Sequence, residues 1–342
     1  AGMAAPSASP SSSSGAPALL GAGAASSRTQ AMRIGSVAST RLRKRVLECA
    51  AMGEWKEVHE AVELQGCNVN IQEEDTGLSL VHWAIHQGDM EALTWLVEQR
   101  AFLRLKDKRG RTALSGAGAE AAALLLQHAY SPVERVAYGR GNPRLSVLEQ
   151  ELEGLGPEAV NEPLWDEGGA TLAVVLAGRH NQNGGWNALP LLQALAARGA
   201  DLEAMDEEGN GILHMIDWTF GAAAALPLLS WALNEAQVKH FEVRNRDGDT
   251  PPLLCAYCCP SGSDALQCLR LFEAAGANFS LGSAKGMNVA MMLARHHGDG
   301  LWLNWCFSQA GVDPDQVCSR RRTAADYVSL HGTAESEDDD AE

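Results

Sequence analysis

The chain has 342 residues, 46% of them apolar and 20% charged, which is enough apolar material for a buried core over most of its length. Its 27 basic and 43 acidic side chains leave a net charge of -16, which argues against a protein whose main task is to coat nucleic-acid phosphate. No uncharged apolar stretch approaches the roughly 18 residues of a membrane span. The longest one, Trp218 to Leu233, carries Pro227 in its middle. The 8 cysteines are too sparse for a disulfide-stapled secreted domain, and no early apolar block resembles a signal peptide. The composition reads as a soluble protein of a reducing compartment, cytoplasmic or nuclear.

Residues 1 to 40 are Ala-, Ser-, Gly- and Pro-rich, and no Asp or Glu occurs before Glu48. Such a stretch cannot bury enough apolar area to offset the entropy of ordering, so it is expected to be disordered. It reads as a linker, with an organelle transit peptide as the alternative. Arg41-Leu42-Arg43-Lys44-Arg45 follows, which reads as a nuclear import signal, a contact for an acidic surface, or a solvated cap ahead of a helix start. Leu42 to Asn70 then reads as a helix pair lacking a turn before it. Residues 74 to 100 and 107 to 129 are two units in phase, with Gly77 and Gly110 standing 33 residues apart, and the second is short of a full first helix. Residues 130 to 165 have no clear unit. They hold the turn-rich Gly139 to Pro143 and a helix over Leu145 to Leu155, and read as a decayed unit or an insertion.

Periodicity returns downstream. Gly169, Gly209, Gly248 and Gly286 recur at intervals of 40, 39 and 38 residues. The extra length falls between the two helices of each unit, at His180 to Asn187, Trp218 to Gly221 and Pro260 to Ser263. Two units restart alike, at Ala188-Leu189-Pro190 and Ala225-Leu226-Pro227, which suggests a proline in a first helical turn. Gly66, Gly199 and Gly276 are placed to end second helices. Arg322 to Tyr327 reads as a polar terminal half unit. The acidic run from Glu335 to Glu342 reads as a solvated tail, with Ser336 as an acid-directed phosphorylation target.

These residues resemble the ankyrin repeat, which runs D-x-x-G-x-T-P-L-H-x-A-A-x-x-G and then a second helix ending in L-L-x-x-G-A. The likeness rests on Gly77, Ser79, Val81, His82 and Ala84, on Asp107, Gly110, Thr112 and Leu114, on Asp206, Gly209, Leu213 and His214, and on Gly248, Thr250 and Pro251. It implies an all-α solenoid of stacked helix-turn-helix units with short hairpin turns. About seven units would span residues 41–330, with disordered ends at 1–40 and 331–342. A single pair cannot bury its own stripe, such as Leu93, Leu96 and Val97, so neighbouring units must stack.

Signals for chemistry are weak against that background. His82 and His86 have zinc-ligand spacing but lack the glutamate of H-E-x-x-H and a third ligand. By resemblance His82 is instead a histidine that hydrogen-bonds backbone between turns. Cys255, Cys258, Cys259 and Cys268 lack a second C-x-x-C, and the first three form an i, i+3, i+4 stripe that reads as core. No phosphate loop or nucleophile elbow occurs, and Glu207 and Glu208 sit in an exposed turn. The expectation is a non-enzyme with no metal and no cofactor.

What remains is binding. Turn tips and first-helix ends of stacked units would form a concave face for a protein partner. The tip residues are Asp75, Thr76 and Leu78; Lys108, Arg109 and Arg111; Glu207, Glu208 and Asn210; Arg246, Asp247 and Asp249; and Lys285 and Met287. Helix ends add His86, Gln87, Trp218, Tyr257, Arg295 and His296. Trp83, Trp95, Trp231, Trp302 and Trp305 fall on helical stripes and read as core, while Trp165, Trp186 and Trp218 fall in loops and read as anchors. The expected role is a scaffold or adaptor, monomeric when free. The alternatives are an assembly subunit of a larger complex, organellar if the N-terminus is a transit peptide, and a regulatory subunit of a partner enzyme.

Overall fold

A computed structural model describes residues 39–139, 143–164, 167–180 and 186–331. The expectations for residues 1–38, Trp165, the centre of the 180–187 loop and the acidic tail with Ser336 lie outside the described residues. Helix is the only regular structure among the described residues, and the only bridges are three isolated antiparallel pairs, Gln72 with Ser79, Lys106 with Thr112 and Leu164 with Ala170. Each of them closes a hairpin-like turn. Among the described residues no helix is long and apolar enough to cross a membrane. The chain divides into two compact units, Ala1–Ala121 and Ala122–Glu342.

The first unit holds α1 (39–52), α2 (Trp55–Glu63), α3 (Leu80–Gln87) and α4 (Met90–Glu98). The basic run at 41–45 lies inside α1, not ahead of it. Helix α4 starts where the Asp89 carboxylate accepts from the Ala92 amide at 2.9 Å, a cap worth about 1 kcal/mol. Leu80, Val81, Ala84 and Ile85 of α3 are buried with Leu93 and Leu96 of α4. Beyond them the short first helix expected near Thr112 is a single 3-10 turn, Ala113–Gly116. Helix α5 (Ala119–Ala129) crosses the division between the units.

In the second unit helices come in pairs. They are α6 (Pro132–Tyr138) with α7 (Leu145–Glu151), α9 (Leu172–Gly178) with α10 (Leu189–Ala197), α12 (Pro251–Cys258) with α13 (Gly262–Ala274), and α14 (Val289–His297) with α15 (Leu301–Ser308). The short α8 is Pro157–Val160, α11 is Ala222–Ser230 and α16 is Ala324–Leu330. First helices pack on first helices, α6 on α9, α12 on α14 and α14 on α16, while α7 packs on α10, α11 on α13 and α13 on α15. The stretch 130–165, patternless in sequence, therefore supplies a helix pair whose two members join the two rows. One apolar core runs through the rows from Val133 to Tyr327, with Leu176, Leu229, Phe272 and Leu293 fully buried.

Pro227 departs from expectation. Helix α11 begins at Ala222, where the Asp264 carboxylate accepts the Ala222 amide at 3.1 Å, so Pro227 stands in the helix interior rather than in its first turn. The carbonyl it cannot serve belongs to exposed Ala223, where water can satisfy it. Pro190 does occupy the first turn of α10.

Successive turns are joined by backbone hydrogen bonds. Lys108 N donates to Thr76 O at 2.9 Å in the first unit. In the second, Glu207 N donates to Gly168 O at 2.8 Å, Arg246 N to Glu208 O at 2.6 Å and Ser319 N to Lys285 O at 2.9 Å. Two histidines tie turn to turn in the same way. His82 Nδ1 accepts from Ser79 N while Nε2 reaches Arg111 O at 3.3 Å, and His214 Nδ1 accepts from Gly211 N while Nε2 reaches Val243 O at 3.1 Å. The turn at Gly248 shows how close this stacking is. Its φ is +84°, and a Cβ there would lie 2.7 Å from Ala284. Gly276 has a φ of +90°, and a Cβ there would meet nothing within 4 Å among the described residues. Gly276→Ala is expected to cost about 1 kcal/mol, and Gly248→Ala at least twice that because the neighbouring turn must also shift. Urea unfolding midpoints of the two variants decide the point, and equal losses would show that the turns are not tightly stacked.

Candidate functional site

A concavity in the second unit lies between α12 and α14 and the turns that precede them. Thr250 is followed by Pro251 and Pro252 in the first turn of α12, and the Asn288 side chain caps α14 by accepting Met291 N at 3.0 Å. The two helix starts are thereby fixed beside their turns. The cleft between them has a volume of about 260 Å³. Asp247 and Asp249 form one wall, Lys285 and Arg295 the other, and Leu254 and Met292 contribute apolar lining. Burial, and after it the neighbouring Asp247, pushes the Asp249 carboxyl above its ordinary range. Tyr257 stands exposed at the rim, its ring edge on His296 at 4.5 Å.

A matching cleft of about 420 Å³ lies between α9 and the turn at 206–208, with Glu167, Asp206 and Glu208 opposite Arg179 over Val174 and Met215. On the other side of Arg295, a constriction of about 10 Å³ is lined by Lys285, Arg320 and Tyr327. In the first unit a hollow of about 340 Å³ separates Arg43 and Lys44 of α1 from Glu73, Glu74 and Asp75, with Trp83 in its lining.

Of the residues expected to meet a partner, Asp247, Asp249, Tyr257, Lys285, Met287 and Arg295 come together at the first of these clefts. Asp75, Thr76, His86, Lys108, Arg109, Glu207, Glu208 and Arg246 are exposed, and Leu78 and His296 are half-buried. Arg111 is exposed but bound back to Asp107 at 3.0 Å. Five positions need correction. Trp218 is only 2% exposed, packed on Phe272, because the Asp217 carboxylate caps a 3-10 turn (Trp218–Phe220) that folds the indole inward. Met287 and Arg295 are buried as floor and wall rather than offered at a tip. The Gln87 amide is engaged by Ala50 O, Ala51 O and the Trp55 indole, and that of Asn210 by Asp206 and Asn245. Among the other tryptophans Trp231 and Trp305 are buried, Trp83, Trp95 and Trp302 half-buried, and the expected anchor Trp186 is packed partly into the core.

The clefts also use residues that the tip-and-end reading passed over, Leu254 and Met292 in one and Val174, Val175 and Met215 in the other. Their signal was helical spacing: Leu254 precedes Tyr257 by three positions, and Met292 precedes Arg295 by three. Elsewhere Cys255 and Cys259 of the expected stripe are buried and Cys258 is half-buried, and Cys268, outside the stripe, is buried too. A scan against models of protein families gives no match, and a search of curated proteins likewise gives none. The class that the described residues define is a helical protein of paired helices whose turns are laced together by backbone hydrogen bonds.

Proposed function

We propose that the chain is an ankyrin-type repeat solenoid that works as a non-enzymatic scaffold or adaptor. It holds a protein partner against turn tips and first helices, the face that the resemblance implies is concave. The observation that carries this reading is the cleft at Asp247, Tyr257 and Lys285, where an acidic wall and a basic wall flank an apolar lining. An interface of that kind combines an aromatic anchor with charges that fix the orientation of what docks there. In this reading the pair α6 and α7 is a unit that has lost its turn, and α16 is the terminal cap. The capping box between Thr323 and Asp326 and the exposed Ala325, Asp326 and Ser329 suit that place.

The test is a pair of variants in quantitative affinity capture. Tyr257→Ala with Lys285→Glu is expected to weaken the principal partner about tenfold or more. Arg270→Glu, on the exposed face of the second helix α13, should leave capture unchanged. If both variants retain the same partners at wild-type yield, the cleft is not the docking face.

A further inference from the structure

Three sulfurs meet where α12 packs on α13. The Sγ atoms of Cys255, Cys259 and Cys268 all lie within 4.8 Å of one another, and Cys255 and Cys259 are 3.9 Å apart. They come from two helices: Cys255 from the last turn of α12, Cys259 from its C-cap, and Cys268 from the middle of α13. All three are buried, so they are presented to one another and not to solvent. Three sulfurs bound at about 2.3 Å around one ion in a plane stand about 4 Å apart, which is the separation of Cys255 and Cys259, and a small inward shift at most brings Cys268 to it. Among the described residues no other His, Cys, Asp or Glu joins the group.

We propose that Cys255, Cys259 and Cys268 form a three-sulfur binding site for a soft monovalent cation, Cu(I). Soft thiol ligands select such an ion, while structural zinc takes four ligands and lacks the fourth here. The exchange balances without any change of oxidation state. One S–H bond breaks and one Cu–S bond forms, the proton leaves to solvent, and the other two sulfurs donate lone pairs. A single positive charge enters as a single positive charge leaves, so the dry interior gains no net charge. Entry is through the loop after α12, where Cys259 is followed by exposed Pro260.

The experiment titrates the full chain, reduced and under nitrogen, with Cu(I) held by a chromophoric chelator. Wild type is expected to withdraw one equivalent, Cys255→Ala and Cys268→Ala none, and Cys306→Ala, which removes a buried thiol elsewhere, one. X-ray absorption of the loaded wild type should show three sulfur neighbours. Cys268→Ser keeps the size of the side chain, and circular dichroism confirms which variants fold. Equal copper uptake by wild type and a folded Cys268 variant overturns the proposal. So does a copper environment in wild type with fewer than three sulfurs, a measurement that stands even where no variant folds.

Discussion

Replacing Phe272 with alanine is expected to cost about 3–5 kcal/mol of stability, the usual range for truncating a fully buried aromatic side chain. Phe272 has no exposed surface and stands on α13, the helix that packs on α11, α12 and α15. Its ring centroid is 6.2 Å from that of Trp218 and 6.4 Å from that of Phe241, so truncation opens a cavity flanked by two other aromatic groups. Trp218→Phe is the informative companion. The Trp218 indole nitrogen is buried with no hydrogen-bond partner among the described residues, so the smaller ring loses volume but also removes an unsatisfied polar group. It should cost clearly less than Phe272→Ala. Chemical denaturation followed by circular dichroism gives both values, and a loss below about 1 kcal/mol for Phe272→Ala would mean that α13 is not held by this cluster.

How much of this was legible from sequence follows from the range of the forces involved. Turn glycines and helix pairs are set by local geometry, and Gly77 and Gly248 stand as their spacing implied. His82 ties backbone between turns as the resemblance implied, and His214 does the same. The short first helix after Thr112 could also be read. Trp218 could not, because a tryptophan in a lengthened loop looks exposed until the Asp217 cap turns it onto Phe272. Gln87 and Asn210 differ from expectation for a related reason. Their partners Ala50 and Asn245 lie 37 and 35 residues away, and a polar side chain gives no sequence sign of a distant acceptor or donor. Pro227 misleads because the start of α11 is fixed by Asp264, from another helix. At the cleft between α12 and α14 the tip residues were readable, but the lining was not, since apolar residues at helix centres read wholly as core.

Lowering the pH from 7 towards 4 is expected to destabilise the second unit through its buried histidines, His214 among them. Its ring is fixed as one neutral tautomer, Nδ1 accepting from Gly211 N at 3.2 Å and Nε2 donating to Val243 O at 3.1 Å. His240 stacks beside it at 5.9 Å, accepting from Leu213 N on Nε2 and facing Glu203 on Nδ1. Protonating His214 would set a second donor against Gly211 N–H and place a cation in a dry site. Burial first, and then His240, pull its pKa from 6.5 down to about 4, against the weaker opposing pull of the Val243 and Asp249 backbone and of Asp206. The unfolded chain therefore binds the proton more readily between those two values. Stability is fully present above pH 6.5 and is lost as pH falls through about 4, by up to about 3 kcal/mol for this one group. Burial moves His180, His240 and His297 in the same direction, while Asp249, pushed up, acts in the opposite one. A comparison isolates His214 from all of these. His214→Asn should be less stable at pH 7, yet its unfolding free energy should fall less steeply from pH 6.5 to 4, by close to one proton in the slope. Parallel slopes for the two proteins would show that His214 takes up its proton as readily in the folded as in the unfolded chain, and the turn-to-turn bonds at its two nitrogens would then need a different account.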